Sequence, residues 1–113
     1  MSDFHLRWGI AGSGSIANDF HLALSTLDPN HHSIVAVGDR YLEDARKYAL
    51  KRNIPRYYGS HDELVNDKDI DIIYVATVNI AHKEACLKAI NAGKNVLCKL
   101  MLIIYKLEYS QIN

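Results

Sequence analysis

Gly12-Ser13-Gly14-Ser15-Ile16-Ala17 sets three small residues at the spacing G-x-G-x-x-A, directly after an apolar run and directly before a stretch of helical periodicity. Glycine at 12 permits a tight turn, and glycine at 14 keeps a Cβ away from anything approaching the backbone. Alanine at 17 lets the helix lie close to the strand before it. The chemistry such a turn serves is anion binding. The unpaired N–H groups of a helix's first turn face outward, with a partial charge of roughly half an elementary unit. A pyrophosphate fits that arrangement, so Gly12, Ser13, Gly14, Ser15 and Ile16 are candidate contacts to a dinucleotide. A glycine turn by itself also occurs where nothing binds, and the neighbouring signals decide between the two.

The first of these is Asp39, expected at the end of the second strand, where a carboxylate accepts hydrogen bonds from the adenosine ribose. Arg40 follows it. A carboxylate there repels a 2′-phosphate, whereas an arginine bonds one in a forked pair and stacks on adenine, so NAD and NADP both remain open. The second is Thr77-Val78-Asn79-Ile80-Ala81-His82, expected as the loop over the nicotinamide half of the crevice, with Thr77 and Asn79 offering bonds to ribose or carboxamide. His82 has two readings, a cofactor-contacting or proton-relay group and a solvated residue in a helix's first turn. His31, His32, His5, His21 and His61 lack metal-ligand spacing and read as surface residues, so no metal site is expected.

The elements that must position these residues alternate. Leu6 to Ala11 reads as a strand, Ser15 to Leu24 as a helix, Ser33 to Val37 as a β-branched strand, and Leu42 to Arg52 as a helix with Ala45, Tyr48 and Ala49 on one face. Arg56 to Tyr58 follows as a short strand. Ser60 and Glu63 suit a capping box at the head of a short helix. Ile70 to Ala76, nearly all apolar, is expected to be a strand covered on both faces. Ala81 to Ala92 reads as a helix closed by Gly93, and Asn95 to Cys98 as a fifth strand. Strands alternating with helices predict an α/β fold, a Rossmann-type doubly wound parallel sheet of about five strands, with the first and fourth strands adjacent at the switch point. Leu22, Leu24, Leu27, Tyr57 and Tyr58 read as core or edge packing.

Composition sets the bounds. The chain has 113 residues with 13 basic and 13 acidic side chains, so no charge excess argues for nucleic acid or an anionic membrane as partner. Its amino terminus carries no signal-like apolar stretch, and the run from Leu100 to Tyr105 is far below the roughly 20 residues of a spanning helix, so a cytoplasmic chain is expected. Cys86 and Cys98 stand far apart in sequence and read as two reduced, buried thiols.

With those residues in view, the chain resembles the glucose-fructose oxidoreductase and inositol dehydrogenase (Gfo/Idh/MocA) family, and within it the dihydrodiol dehydrogenases. The resemblance runs from Leu6 to about Cys98. It rests on Arg7-Trp8-Gly9-Ile10-Ala11 before the glycine motif, Val35-Ala36-Val37-Gly38-Asp39-Arg40, Tyr58-Gly59-Ser60, Ile73-Tyr74-Val75-Ala76-Thr77 with Asn79 and His82, and Ala92-Gly93-Lys94-Asn95-Val96-Leu97-Cys98. It implies NADP or NAD as cofactor, hydride transfer at a carbinol carbon of a sugar or cyclic diol, and a dimer formed through a second domain. The family continues after the cysteine with Glu-Lys-Pro, whose lysine bonds the substrate hydroxyl. Here Lys99-Leu100-Met101 follows, leaving Lys99 as the candidate catalytic residue although the glutamate and proline are absent.

The expected organisation is an NAD(P)-binding domain over 5–98 and a divergent apolar tail over 99–113, a truncated sheet with no second domain. A small sugar or diol is then a substrate only if a second domain is supplied, and the tail is a candidate surface for self-association. The alternative function is a non-catalytic interaction module or an inactive truncated product.

Overall fold

The computed structural model describes residues 4–77 and 79–98, with 79–81 by backbone alone. Five strands and four helices alternate: β1 Leu6–Ala11, α1 Ser15–Leu24, β2 His32–Gly38, α2 Leu42–Arg52, β3 Arg56–Tyr58, α3 His61–Val65, β4 Ile72–Val75, α4 Asn79–Asn91 and β5 Asn95–Cys98. All pairings are parallel in the order β3-β2-β1-β4-β5. The chain therefore builds outward from β1 in one direction, then crosses back to lay β4 on its other side. That reversal between β1 and β4 is the expected switch point.

Each interior strand is apolar on both faces because helices cover both. Successive side chains alternate between two cores. Ile10, Val37 and Tyr74 point into the layer under α1 and α2, with Ala17, Ala45, Tyr48 and Ala49 of the helices. Ala11, Ala36, Ile73 and Val75 point into the layer under α3 and α4, with Leu64, Ala85 and Ala89. The small residues on the helix faces let helix and sheet approach closely. Phe20 of α1 stacks on Tyr74 at 3.8 Å between ring centroids, fixing the helix over β4.

The ends of the elements follow local chemistry. Ser60 Oγ accepts the Glu63 N–H at 3.1 Å and donates to the Glu63 carboxylate, giving the expected cap of α3. At the end of α4, Lys94 N–H bonds Ala89 O and Gly93 N–H bonds Ile90 O, with Gly93 at φ +79°. That is the paired hydrogen-bond closure which needs a left-handed residue just past the helix. The α4 boundaries lie slightly earlier than the expected 81–92. The fourth strand is trimmed from 70–76 because the Ile70 N–H turns to Asp67 O, although Asp71 N–H to Arg7 O and Ala76 N–H to Ala11 O continue the ladder at both ends.

Leu22 and Leu27 do not pack as expected: they are 57% and 48% exposed, while Leu24 between them is buried. Leu22 lies on the outer face of α1, and Leu27 lies in the bend past the helix end. Tyr57 is exposed on edge strand β3.

The amino edge of the sheet is closed by ion pairs. Arg7 Nε and Nη2 each donate to the Asp71 carboxylate at 3.1 Å. Buried Asp67 accepts from Arg56 Nη1, the Tyr58 hydroxyl and the Asp69 N–H, all within 2.9 Å. Lys94 Nζ donates to the Asp67 and Ile70 carbonyls at 2.7 Å each.

Candidate functional site

The carboxyl edge is built differently. The β1–α1 turn is wedged between the ends of β2 and β4, with Gly12 N–H bonded to Gly38 O at 2.7 Å. Gly12 holds φ +114°, and a Cβ there would stand 3.1 Å from Ala76 O. Both conformation and space exclude a side chain. Gly14 caps α1, and a Cβ added to it would meet nothing within 4 Å, so the space in front of the turn is open. No side chain caps the helix and no acidic residue sits in its first turn. The positive end of α1 therefore faces that space with no acidic residue of its own first turn to neutralise it.

Ser13 Oγ donates to Asp39 Oδ2 at 2.7 Å, and the Tyr41 N–H reaches Asp39 Oδ1 at 3.0 Å. The carboxylate is thus locked beside the glycine turn. Beyond it lies a cavity of about 570 Å³ between Ser13-Gly14 and α2. Asp44, Lys47, Tyr48 and Lys51 of α2 line it together with Arg40 and Tyr41. Arg40 lies over the Tyr41 ring at 5.1 Å. Among the described residues Arg40, Lys47 and Lys51 take part in no ion pair. Arg52 is held in place: it donates to Asn18 Oδ1 and stacks its guanidinium 3.7 Å from the Tyr48 ring centroid, tying α2 to α1. The α2 contributors were legible only as a surface face. Residues 44, 47, 48 and 51 share one side of a helix, but nothing in the sequence alone turns that side toward Gly14.

A second group forms where β4 ends. Thr77 Oγ1 is buried without a hydrogen-bond partner among the described residues, beside the glycine turn, where its Cγ2 would lie 3.4 Å from a Gly12 Cβ. A buried hydroxyl left unsatisfied costs free energy unless a ligand or water completes it. His82 is only 2% exposed, so the reading of a solvated surface histidine does not hold. Its Nδ1–H donates to Thr77 O at 3.1 Å and its Nε2 lies against Cys98 Sγ. Cys86, one turn along α4, completes a cluster in which nitrogen and sulfur atoms lie within 4.8 Å of one another. Burial, together with Cys98 beside it, pushes the Cys86 thiol up to about 11. The two thiols were not expected to meet.

Of the expected site residues, Gly12, Ser13, Gly14, Ser15, Asp39 and Arg40 converge on the α1 N-terminus and its cavity. Ile16 packs its side chain against the core under α1, leaving its backbone for any ligand. Asn79 opens α4. Lys99 and the apolar tail lie outside the described residues. An open cradle at a positively charged helix end, an orphaned Thr77 hydroxyl and a basic cavity beside them fit a phosphate-bearing dinucleotide.

Comparison with known proteins agrees. The pattern of the oxidoreductase family with an NAD-binding Rossmann fold (GFO_IDH_MocA) matches residues 6–99. The chain belongs to that family. It is 46% identical over 93 residues to trans-1,2-dihydrobenzene-1,2-diol dehydrogenase of Xenopus tropicalis, covering 82% of this chain and 28% of that protein. It is 45% identical over 107 residues to the enzyme of the same name from Danio rerio, covering 95% and 32%. Myo-inositol dehydrogenase from Lactobacillus casei, solved with NAD(H) and myo-inositol, superposes with a TM-score of 0.75 at 25% identity, covering 84% of this chain and 28% of that one. The chain thus spans about 28% of the length of such relatives and corresponds to the NAD-binding oxidoreductase domain, similar to dihydrodiol and sugar dehydrogenases. No described helix is long and apolar enough to cross a membrane.

Proposed function

We propose that residues 5–98 bind NADP or NAD along the carboxyl edge of the sheet, serving hydride transfer at a carbinol carbon of a sugar or cyclic diol when a substrate domain completes the site. The cofactor, when bound, supplies the hydride acceptor. The chain's own residues bind and orient it. The backbone N–H groups at Gly14 and the first turn of α1 hold the pyrophosphate, which needs no cation there because the helix end supplies the charge. Asp39 orients the adenosine ribose, and Thr77 and Asn79 are assigned to the nicotinamide half, with buried His82 acting there through its hydrogen bond to the Thr77 carbonyl. The observation that carries this reading is the empty space before Gly14 at an uncapped helix end.

NADP is the better fit of the two. Arg40, Lys47 and Lys51 border the cavity beyond the ribose position, and their charge outweighs that of Asp39 and Asp44. Both Asp39 oxygens already accept hydrogen bonds from the chain, which softens their repulsion of a 2′-phosphate. The relatives' names point to diols and inositols as substrate class. Two cysteines far apart in sequence and in no C-x-x-C arrangement favour a cytoplasmic setting.

The test is calorimetric titration of the full chain with NADPH and, separately, NADH, with melting temperature followed in parallel. Saturable one-to-one binding, tighter for NADPH by about tenfold or 1.4 kcal/mol, is expected. A folded chain whose heat and melting temperature respond to neither cofactor overturns the proposal.

A further inference from the structure

We propose that His82, Cys86 and Cys98 form a binding site for a thiophilic d¹⁰ cation of the zinc class, with one coordination position left open. His82 and Cys86 stand four residues apart on α4 and so share one face of the helix. Cys98 comes from the neighbouring strand β5, at the end of its pairing with β4 opposite Val75. Two rigid elements therefore aim three soft ligands at one point. Their donor atoms already lie within 4.8 Å of one another. Tetrahedral zinc, with bonds of about 2.3 Å to sulfur and 2.0 Å to nitrogen, needs donors about 3.4–3.8 Å apart, a change that side-chain rotation supplies.

The imidazole is prepared for this role. Its Nδ1–H donates to the Thr77 carbonyl at 3.1 Å, which fixes the tautomer and leaves the Nε2 lone pair toward Cys98. Metal-bound histidines are held this way by an outer carbonyl or carboxylate. Burial supports the same reading, since His82 and Cys86 are 2% and 8% exposed while Cys98 is partly open. Two sulfurs and one imidazole select zinc-class ions over magnesium or calcium, which prefer oxygen. On binding, the two thiols release their protons to solvent and the imidazole coordinates through its Nε2 lone pair. The partly exposed Cys98 side is where a water or an added ligand takes the fourth position.

Titration of the reduced full chain with Co²⁺, followed by displacement with Zn²⁺, tests this. A sulfur-to-cobalt charge-transfer band saturating at one equivalent is expected, erased by zinc. Cys86→Ser or Cys98→Ser should weaken binding about a hundredfold, the equivalent of about 2.8 kcal/mol, and His82→Gln should weaken it while retaining the band. No band, or a band unchanged in both serine variants, overturns the proposal. Circular dichroism without metal checks that each variant is folded. Where one is not, X-ray absorption of the wild-type zinc complex decides: two sulfur neighbours support the site, and a shell of nitrogen and oxygen alone, as the histidines near the amino terminus would give, rejects it.

Discussion

The two edges of the sheet are made from the same strands and finished in opposite ways. At the amino edge nearly every charge has a partner: Arg7 with Asp71, Arg56 and Tyr58 with Asp67, Lys94 with two carbonyls. At the carboxyl edge the groups are left open: an uncapped helix end, a Thr77 hydroxyl with no described partner, and Arg40, Lys47 and Lys51 along a cavity. Polar groups that satisfy one another stabilise a fold, and polar groups that do not are available to a ligand. Stability and binding in this chain are thus assigned to opposite ends of parallel strands, and substitutions should separate them.

The largest effect is expected from Gly14→Val. A Cβ there meets no protein atom within 4 Å, and the branched side chain fills the cradle, so NADPH binding should weaken about a hundredfold or more, about 2.8 kcal/mol, with melting temperature unchanged. Equal loss of stability would show that the edge is not the open surface described. Asp67→Ala is the mirror experiment. Removing a carboxylate that serves Arg56, Tyr58 and the Asp69 N–H strands those partners and should cost about 2–3 kcal/mol. Denaturant unfolding should register that loss, while cofactor affinity per folded molecule stays constant.

Acid should act first on the amino edge. Burial raises the Asp67 carboxyl, but the Asp69 N–H, the Tyr58 hydroxyl and the Arg56 and Lys94 charges outweigh it and hold it below the usual 3.8. The Arg7 guanidinium holds the Asp71 carboxyl below the same value. Because folding depresses both, their stabilisation is complete above the ordinary carboxylate range and is lost as pH falls through their folded values. Chemical denaturation across that acid range should show stability falling in wild type and falling less steeply in Asp67→Ala. Identical slopes would remove Asp67 from the account. The smallest effect is at the cavity rim: Lys47→Gln with Lys51→Gln should reduce the NADPH preference about threefold to tenfold, less at high salt because exposed charges are screened. A preference insensitive to both lysines would assign it to Arg40 alone.

Much of this was legible in the residues because their signals are local. The glycine turn, the Ser60 cap, the Gly93 closure and the doubly covered β4 each follow from a few consecutive side chains. The adjacency of β1 and β4 follows from the handedness of crossovers. What stayed hidden depends on distance along the chain. Lys47 and Lys51 face Gly14 only because α2 packs alongside α1, and Cys98 meets His82 and Cys86 only because β5 pairs with β4. Asp67 reads as one acid among several in a turn, yet it is the anchor of the amino edge. Leu22 and Leu27 erred the other way, since hydrophobicity alone says neither which side of a helix is covered, as for Leu22, nor where the helix stops, as for Leu27.

The position of β1 in the middle of the sheet has a consequence for how the chain comes off the ribosome. Its first partner β2 emerges soon after it, but its contacts with β4 join residues 64 apart, as Arg7 and Asp71 are. At synthesis rates of roughly 5–20 residues per second, one flank of β1 waits on the order of several seconds for its neighbour. During that interval the nascent half-sheet β1-β2-β3 carries an unpaired, apolar edge, and a chaperone or the exit tunnel is the only cover available to it.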